Sequence, residues 1–390
     1  MSGKHHLLRV VGVTLIASVL LGATSGKNPE GVDGGRLAPA GSSRTYVKGE
    51  TVMRNLTAVL ALVATLGTAA TSAWATAPEK NGQLVFRRYL DATRTTGALF
   101  TATASGSSAR QLTHPAKGVV DQQPDWSPDG GKVAFERKVP CPAGGPRNGL
   151  DNTCDLIYTV GRDGKGLSPL VPCDFADHCH GVNSPAWSPD GTKIAFRYGL
   201  GNPAFVDSLS YQAGIWIEDT DGSGLRQVTQ LTPGRSWDSD PQWSPDGRKL
   251  VFARADLKTD ASAVFTVNLD GTDVRRVTPW RLNGGDGPDW SPDGRWILFR
   301  AQPRDTSSNV FQVHPDGSGL RNLTKQSAAG FHYLSSSFSP DGRMIASART
   351  PGTGSYGAAD LVVMSASGAD PRPVAATSRW ESAVDWGVRS

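Results

Sequence analysis

From about residue 80 onward, apolar and polar positions alternate in short runs broken by Gly, Pro and Asp. Four runs are nearly identical: Lys132-Val-Ala-Phe135, Lys193-Ile-Ala-Phe196, Lys249-Leu-Val-Phe252 and Trp296-Ile-Leu-Phe299. A period of two over so few residues predicts short β-strands, and no helical period appears anywhere in this region. Each run follows one phrase, Trp-Ser-Pro-Asp-Gly, beginning at Trp126, Trp187, Trp243 and Trp290, with Phe-Ser-Pro-Asp-Gly at Phe338. Proline presets φ for the second position of a β-turn, Asp suits the next, and Gly takes the left-handed conformation that closes the hairpin. In the four Trp copies the aromatic stands nine residues before the closing Phe, which is a fixed hairpin register.

A second phrase recurs further along each unit. It reads IYTVGRDGKGLSPL from Ile157, IWIEDTDGSGLRQVT from Ile215, VFTVNLDGTDVRRVT from Val264 and VFQVHPDGSGLRNLT from Val310, with weaker copies from Leu99 and Leu361. Each predicts a strand, a tight Asp-Gly-type turn and another strand. One unit is therefore four strands. Counted from the aromatic, the steps are 61, 56, 47, 48 and 48 residues, ending at Trp386. Four-stranded units at this period predict an all-β fold, a β-propeller of four-stranded blades. The last unit stops after Asp385-Trp386-Gly387-Val388, and the region from Lys80 opens on a second strand with no first strand before it. The two ends are expected to pair and complete a sixth blade, which would hide two sheet edges. Trp126, Trp187, Trp243, Trp290, Phe338 and Trp386 are expected to be structural, packed between blades.

Upstream lie two export-like segments. The first is basic at Lys4 and Arg9, then apolar from Val10 to Leu21; the second runs from Met53-Arg54-Asn55 through Leu56–Leu66 to Ala73-Trp74-Ala75. The second has the layout of a secretory signal peptide. Residues 53–75 are expected to be that signal, 1–52 an over-extended start or a first apolar segment that is disordered, and 78–388 the propeller. An exported chain with four cysteines predicts disulfides, and the local pairings Cys141–Cys154 and Cys173–Cys179 are favoured over the other two arrangements. The net charge of +4 is spread out, and no Lys/Arg block marks a nucleic-acid surface. No stable membrane span is expected in the mature chain, which reads as a monomer.

The units, written as Trp-Ser-Pro-Asp-Gly, then Ile-Ala-Phe, Asp-Gly and Leu-Thr, closely resemble the WD40-like (PD40) repeat of TolB-like β-propeller proteins over about residues 80–388. The resemblance implies a periplasmic or secreted propeller. Such repeats also precede the hydrolase domain of prolyl oligopeptidase-like peptidases, but this chain has no Gly-x-Ser-x-Gly. The nearest string, from Thr353, lacks the first Gly.

Propeller function belongs to the channel mouth, lined by the residues entering each innermost strand, and the fold alone does not name it. Five residues before each aromatic stand Asp121, Val182, Asp238, Gly285, Tyr333 and Glu381, with Asp240 and Asp286 nearby. Asp121, Asp238 and Glu381 would suit Ca²⁺, which takes hard oxygen ligands. The alternative is that these carboxylates cap turns or pair with arginines. Arg137, Arg197, Arg254, Arg300 and Arg349, with Arg87 or Arg88, recur just after the second strand and would form a basic rim at one level, or else bond to neighbouring blades. His314, His332, Tyr333 and Trp237 are further surface candidates. No catalytic triad or phosphate loop can be assembled, and no cofactor other than Ca²⁺ is expected. The sequence thus predicts a non-catalytic, exported scaffold at the cell envelope or outside the cell that binds a protein, a peptide or a glycan. The competing reading is a metal-dependent hydrolase or lyase at the channel mouth. The insertions at 138–155 and 172–184 exceed what a blade needs and are the expected partner contacts.

Overall fold

The computed structural model describes residues 80–389 except 107–108, 142–152, 172, 174–178, 201–211, 232–234, 304–306, 326–329, 352–357 and 376. The expected signal and leader segments, 53–75 and 1–52, lie outside the described residues, as do most of the two insertions.

Among the described residues the chain is all-β, with one short 3₁₀ turn at Trp280–Leu282. The strands come in antiparallel groups in chain order. The first contains β1 (Asn81–Tyr89), β2 (Gly97–Ala102) and β3 (Arg110–Gln111), and the second β4 (Val120–Trp126), β5 (Lys132–Pro140), β6 (Thr153–Gly161) and β7 (Ser168–Val171). Next come β8 (Cys179–Trp187), β9 (Lys193–Leu200), β10 (Gln212–Asp219) and β11 (Arg226–Gln227), then β12 (Ser236–Trp243), β13 (Lys249–Asp256), β14 (Ala261–Asn268) and β15 (Arg275–Arg276). The last groups are β16 (Gly284–Trp290), β17 (Ile297–Ala301), β18 (Asn309–Val313) and β19 (Arg321–Asn322), then β20 (Phe331–Phe338), β21 (Met344–Pro351), β22 (Asp360–Ser365) and β23 (Arg372–Ala375). Strand β24 (Glu381–Val388) pairs antiparallel with β1, Trp386 opposite Leu84 and Glu381 opposite Arg88. The first strands touch in a cycle, β24 to β4, β8, β12, β16, β20 and back to β24.

The Ser-Pro-Asp-Gly turn is held by its own side chains. Gly130 N donates to Ser127 O at 2.8 Å, Ser127 Oγ donates to Asp129 Oδ1 at 2.6 Å, and Lys132 N donates back to Ser127 Oγ at 2.9 Å. The same bonds recur at Ser188, Ser244, Ser291 and Ser339. Gly130 has φ of 64°, a conformation that side chains with a Cβ disfavour. The Leu-Thr ending of the second phrase has a role as well. The hydroxyls of Thr113, Thr229, Thr278 and Thr324 accept the backbone N–H of Leu99, Ile215, Val264 and Val310 in the interior.

The aromatic that opens each turn packs on the group before it. Trp126 clusters with Val85 and Leu99, Trp290 with Val251 and Val264, Phe338 with Leu298 and Val310, and Trp386 with Ala346 and Leu361. Trp243 Nε1 donates to Ala186 O at 3.1 Å. The core is thus a series of apolar seams between successive sheets. Trp187 is less buried than the others and packs at the edge of the seam formed by Ala134 and Ile157.

Cys141 and Cys154 are joined, closing the hairpin that β5 and β6 extend as far as Pro140 opposite Thr153. Cys173 is also disulfide-bonded; the side chain of Cys179, its expected partner, lies outside the described residues.

Candidate functional site

All six first strands carry a bulge three residues before the aromatic. The pairing register shifts between Gln122 and Asp125, Asn183 and Ala186, Ser239 and Gln242, Asp286 and Asp289, Tyr333 and Ser336, and Ser382 and Asp385. At the bulge, Gln123, Ser184, Asp240, Gly287 and Ala383 have φ between 48° and 55°. A bulge re-aims side chains, and here it turns them toward one another across the cycle. Ser184 Oγ donates to Asp240 Oδ1 at 2.9 Å, Gln123 Nε2 reaches the same oxygen at 3.3 Å, and Ser184 N donates to Gln123 Oε1 at 3.2 Å. Asp240 has no ion-pair partner among the described residues. Burial, and then Asp286, raise its carboxyl above the ordinary range.

On the side of the bulge where each first strand begins, most of the expected site residues meet their partners in pairs. Asp121 accepts from Arg137 Nε at 2.6 Å and Nη2 at 2.9 Å. Asp238 accepts from Arg254 Nε at 2.6 Å and Nη2 at 2.7 Å, and burial still raises its carboxyl. Glu381 accepts from Arg88 Nε at 2.7 Å. All three carboxylates are fully buried, and each arginine comes from the adjacent strand of the same sheet. Asp286, by contrast, is exposed; it pairs with Arg300, whose Nε also donates to Tyr333 O at 3.1 Å. The two-oxygen pairs of Asp121 with Arg137 and Asp238 with Arg254 satisfy both carboxylate oxygens, whereas Arg88 engages only Oε1 of Glu381 and leaves its buried Oε2 without a partner. A calcium ion at Asp121, Asp238 and Glu381 would have to displace a guanidinium from each. Among the described residues, no group of three or more His, Cys, Asp or Glu is arranged to hold a metal ion.

The expected arginine rim at one level does not form. The arginines lie within strands rather than after them, and they fall in two registers. Arg88, Arg137, Arg254 and Arg349 stand two residues after the strand's core position at Phe86, Phe135, Phe252 and Ser347. Arg87, Arg197 and Arg300 stand one residue after Phe86, Phe196 and Phe299. Successive strand residues face opposite sides of a sheet, so the two sets face different neighbours. Arg87 bonds Gln122 of the next group of strands and Ser382. Arg197 lies 5.9 Å from the Trp237 ring, and Arg349 lies 4.4 Å from Phe331.

Tyr333 is 1% exposed and belongs to the core. The further surface candidates His332 and His314 lie apart. His332 Nδ1 accepts Ser308 N at 3.2 Å on the bulge side, whereas His314 stacks on Trp296 at 3.6 Å at the opposite end of the sheet.

Sequence reasoning missed the innermost level. The residue just before each aromatic is Asp125, Ala186, Gln242, Asp289, Ser337 or Asp385. Asp125 Oδ2 accepts Trp187 N at 2.7 Å, Asp289 Oδ2 accepts Phe338 N at 2.7 Å, and Asp385 Oδ2 accepts Trp126 N at 2.8 Å. Each of these bonds joins one group of strands to another. The signal was present as an Asp repeated in register before the aromatic.

A family model described as "TolB beta propeller domain" (PD40) matches residues 175–389. The chain belongs to this family. A propeller explains the cyclic contact of first strands and the seams between sheets. The propeller is 31% identical over 112 residues to "Uncharacterized peptidase YuxL" of Bacillus subtilis, covering 29% of this chain and 16% of that protein. It is 28% identical over 181 residues to "Tol-Pal system protein TolB" of Francisella tularensis subsp. mediasiatica, covering 44% of this chain and 37% of the relative. The crystal structure of TolB from Acinetobacter baumannii superposes with a TM-score of 0.58 at 16% identity, covering 78% of this chain and 66% of that one. The chain thus spans about a sixth and just over a third of these two relatives, and the likeness to the crystal structure is one of fold. No helix among the described residues is long and apolar enough to cross a membrane.

Proposed function

We propose that the protein is a non-catalytic propeller scaffold of the cell envelope or the space outside the cell, and that it binds a protein or peptide. The six groups of strands are read as six blades, closed by β24 of the chain's end on β1 of its start. One observation carries the functional reading. Four carboxylates at the channel mouth, Asp121, Asp238, Asp286 and Glu381, are tied to arginines of their own blades, with the carboxylate buried in three of the four cases. Groups held this way shape a rigid surface and leave no free base or nucleophile among them. The family supports the same reading, since a TolB named for the Tol-Pal system is among the relatives. A match to 16% of a peptidase's length is no argument for catalysis by this chain.

The test is affinity capture from the host's envelope and culture fluid with residues 76–390 as bait, read by mass spectrometry. A saturable protein partner, retained when Arg137 and Asp121 are both changed to Ala only if the mouth is not the contact face, supports the scaffold. A preparation that captures no protein but binds a purified cell-wall glycan, or that takes up Ca²⁺ by calorimetry after chelation, overturns the protein-binding reading.

A further inference from the structure

The innermost level of the channel contains carboxylates that the mouth arginines do not reach. Asp125, Asp289 and Asp385 are in no ion pair among the described residues. Each uses one oxygen to accept the backbone N–H of the aromatic residue in the next blade. The other oxygens knit the level together: Gln242 Nε2 donates to Asp125 Oδ1 at 3.1 Å and Ser337 Oγ to Asp385 Oδ1 at 3.0 Å. Asp385 is the one that matters for closure. It lies on β24 and ties that strand to β20 through Ser337 and to β4 through Trp126. We propose that Asp125, Asp289 and Asp385 form a proton-sensitive latch that couples closure of the ring by β24 to pH.

The physical reason is charge without a counter-charge. Asp289 and Asp385 both act on Asp125, and Asp385 on Asp289; three such carboxylates repel when all are ionised, and low-dielectric surroundings strengthen that repulsion. A bound proton relieves it and keeps the bonds from the backbone N–H groups, because a carboxyl still accepts through one oxygen. Burial and then Asp385 push the Asp125 carboxyl well above its ordinary range; burial raises Asp385, and Asp289 is pushed up to about 7. The other titratable groups on the neighbouring first strands are engaged elsewhere. Asp121, Asp238 and Glu381 are held by arginines, Asp286 by Arg300, Asp240 by Ser184 and Gln123, and His332 by Ser308 N. Nearer the mouth, Glu136 bonds Gln122 and is also raised, to about 8, by burial and Asp155.

A folded-state value above the unfolded one means that the closed ring holds more protons than the open one, so closure weakens as pH rises through that value. This inference rests on the reading that β24 closes the ring, and the experiment separates the two. Hydrogen–deuterium exchange of residues 81–89 and 381–389 is followed between about pH 5 and pH 8, corrected for intrinsic exchange. Loss of one proton gives up to about a tenfold fall in protection per pH unit in these two segments, beyond any fall in β13 or β18. In Asp385→Asn, which keeps an acceptor oxygen but cannot ionise, that difference should shrink. Protection of both segments that does not change with pH in the unaltered protein overturns the latch and leaves closure standing. Segments exchanging as fast as unstructured peptide throughout the range overturn closure and the latch together.

Discussion

A single buried carboxyl shows how the repeat constrains each residue. Glu218 occupies the position held by Ala102, Val160, Val267, Val313 and Met364 in the other blades, all buried against their neighbours. It is 3% exposed, its Oε2 has no partner, and burial followed by Asp219 and Asp221 raises its carboxyl. A buried polar atom left without a hydrogen bond costs about 1–3 kcal/mol. Glu218→Val restores the repeat's own choice and is expected to raise the melting temperature by several degrees; an equal or lower melt would show that the carboxyl is satisfied in solution. The Thr hydroxyls of the second phrase illustrate the opposite case. They repeat because each accepts a buried backbone N–H of its own blade, a role that the bare letters did not announce.

Among the elements, β24 links the last group of strands to the first. Glu381 is fully buried and Val384 and Trp386 nearly so, Trp386 sits in the seam with Phe86, Ala346 and Leu361, and the backbone of Val388 lies against Gly82 and Gly130. Removing residues 381–390 exposes the edge of β1 and takes a large aromatic from its seam, a loss of about 3–5 kcal/mol for Trp386 alone. The truncated chain is expected to melt well below the full one and to aggregate, as calorimetry and light scattering would show. An unchanged melt would mean that the strand is dispensable. At this scale the sequence was legible for the turns and the hairpin registers, because Ser, Pro, Asp, Gly and the flanking alternation act locally. The bulges were not legible. They place Gln123, Ser184 and Asp240 in left-handed conformations, and no Gly marks those positions.

Taken as a whole, the molecule carries two populations of carboxylates with opposite pH behaviour. The turn aspartates Asp129, Asp190 and Asp341 are held below their ordinary values by hydrogen bonds, led by the Ser hydroxyl for Asp129 and Asp190, so their contribution is lost only as pH falls into the strongly acid range. The channel groups Asp125, Asp289 and Asp385, with Glu136, are raised, so the stability that their protonation provides is lost as pH rises from the ordinary carboxylate range toward about 7 for Asp289 and about 8 for Glu136. His332, held low by burial and Arg300, works in the opposite sense and on a smaller scale. The melting temperature is therefore expected to peak in mild acid and to decline between about pH 5 and pH 8 at constant ionic strength. A melt that rises steadily across that interval would contradict the assignment.

The sequence by itself determined the strands, their turns, the repeat and the aromatic seams, since each depends on residues within one hairpin or on an apolar face that must be covered. It also named most of the residues that meet at the channel mouth. Only the tertiary structure decided what those residues do there. Whether Asp121 faces an ion, a ligand or Arg137 depends on which strand lies opposite it. Whether the arginines form one rim or two sets depends on a strand register one residue apart. The bonds of Asp125, Asp289 and Asp385 to the backbones of Trp187, Phe338 and Trp126 depend on bringing together residues far apart in the chain, a separation that no local pattern encodes.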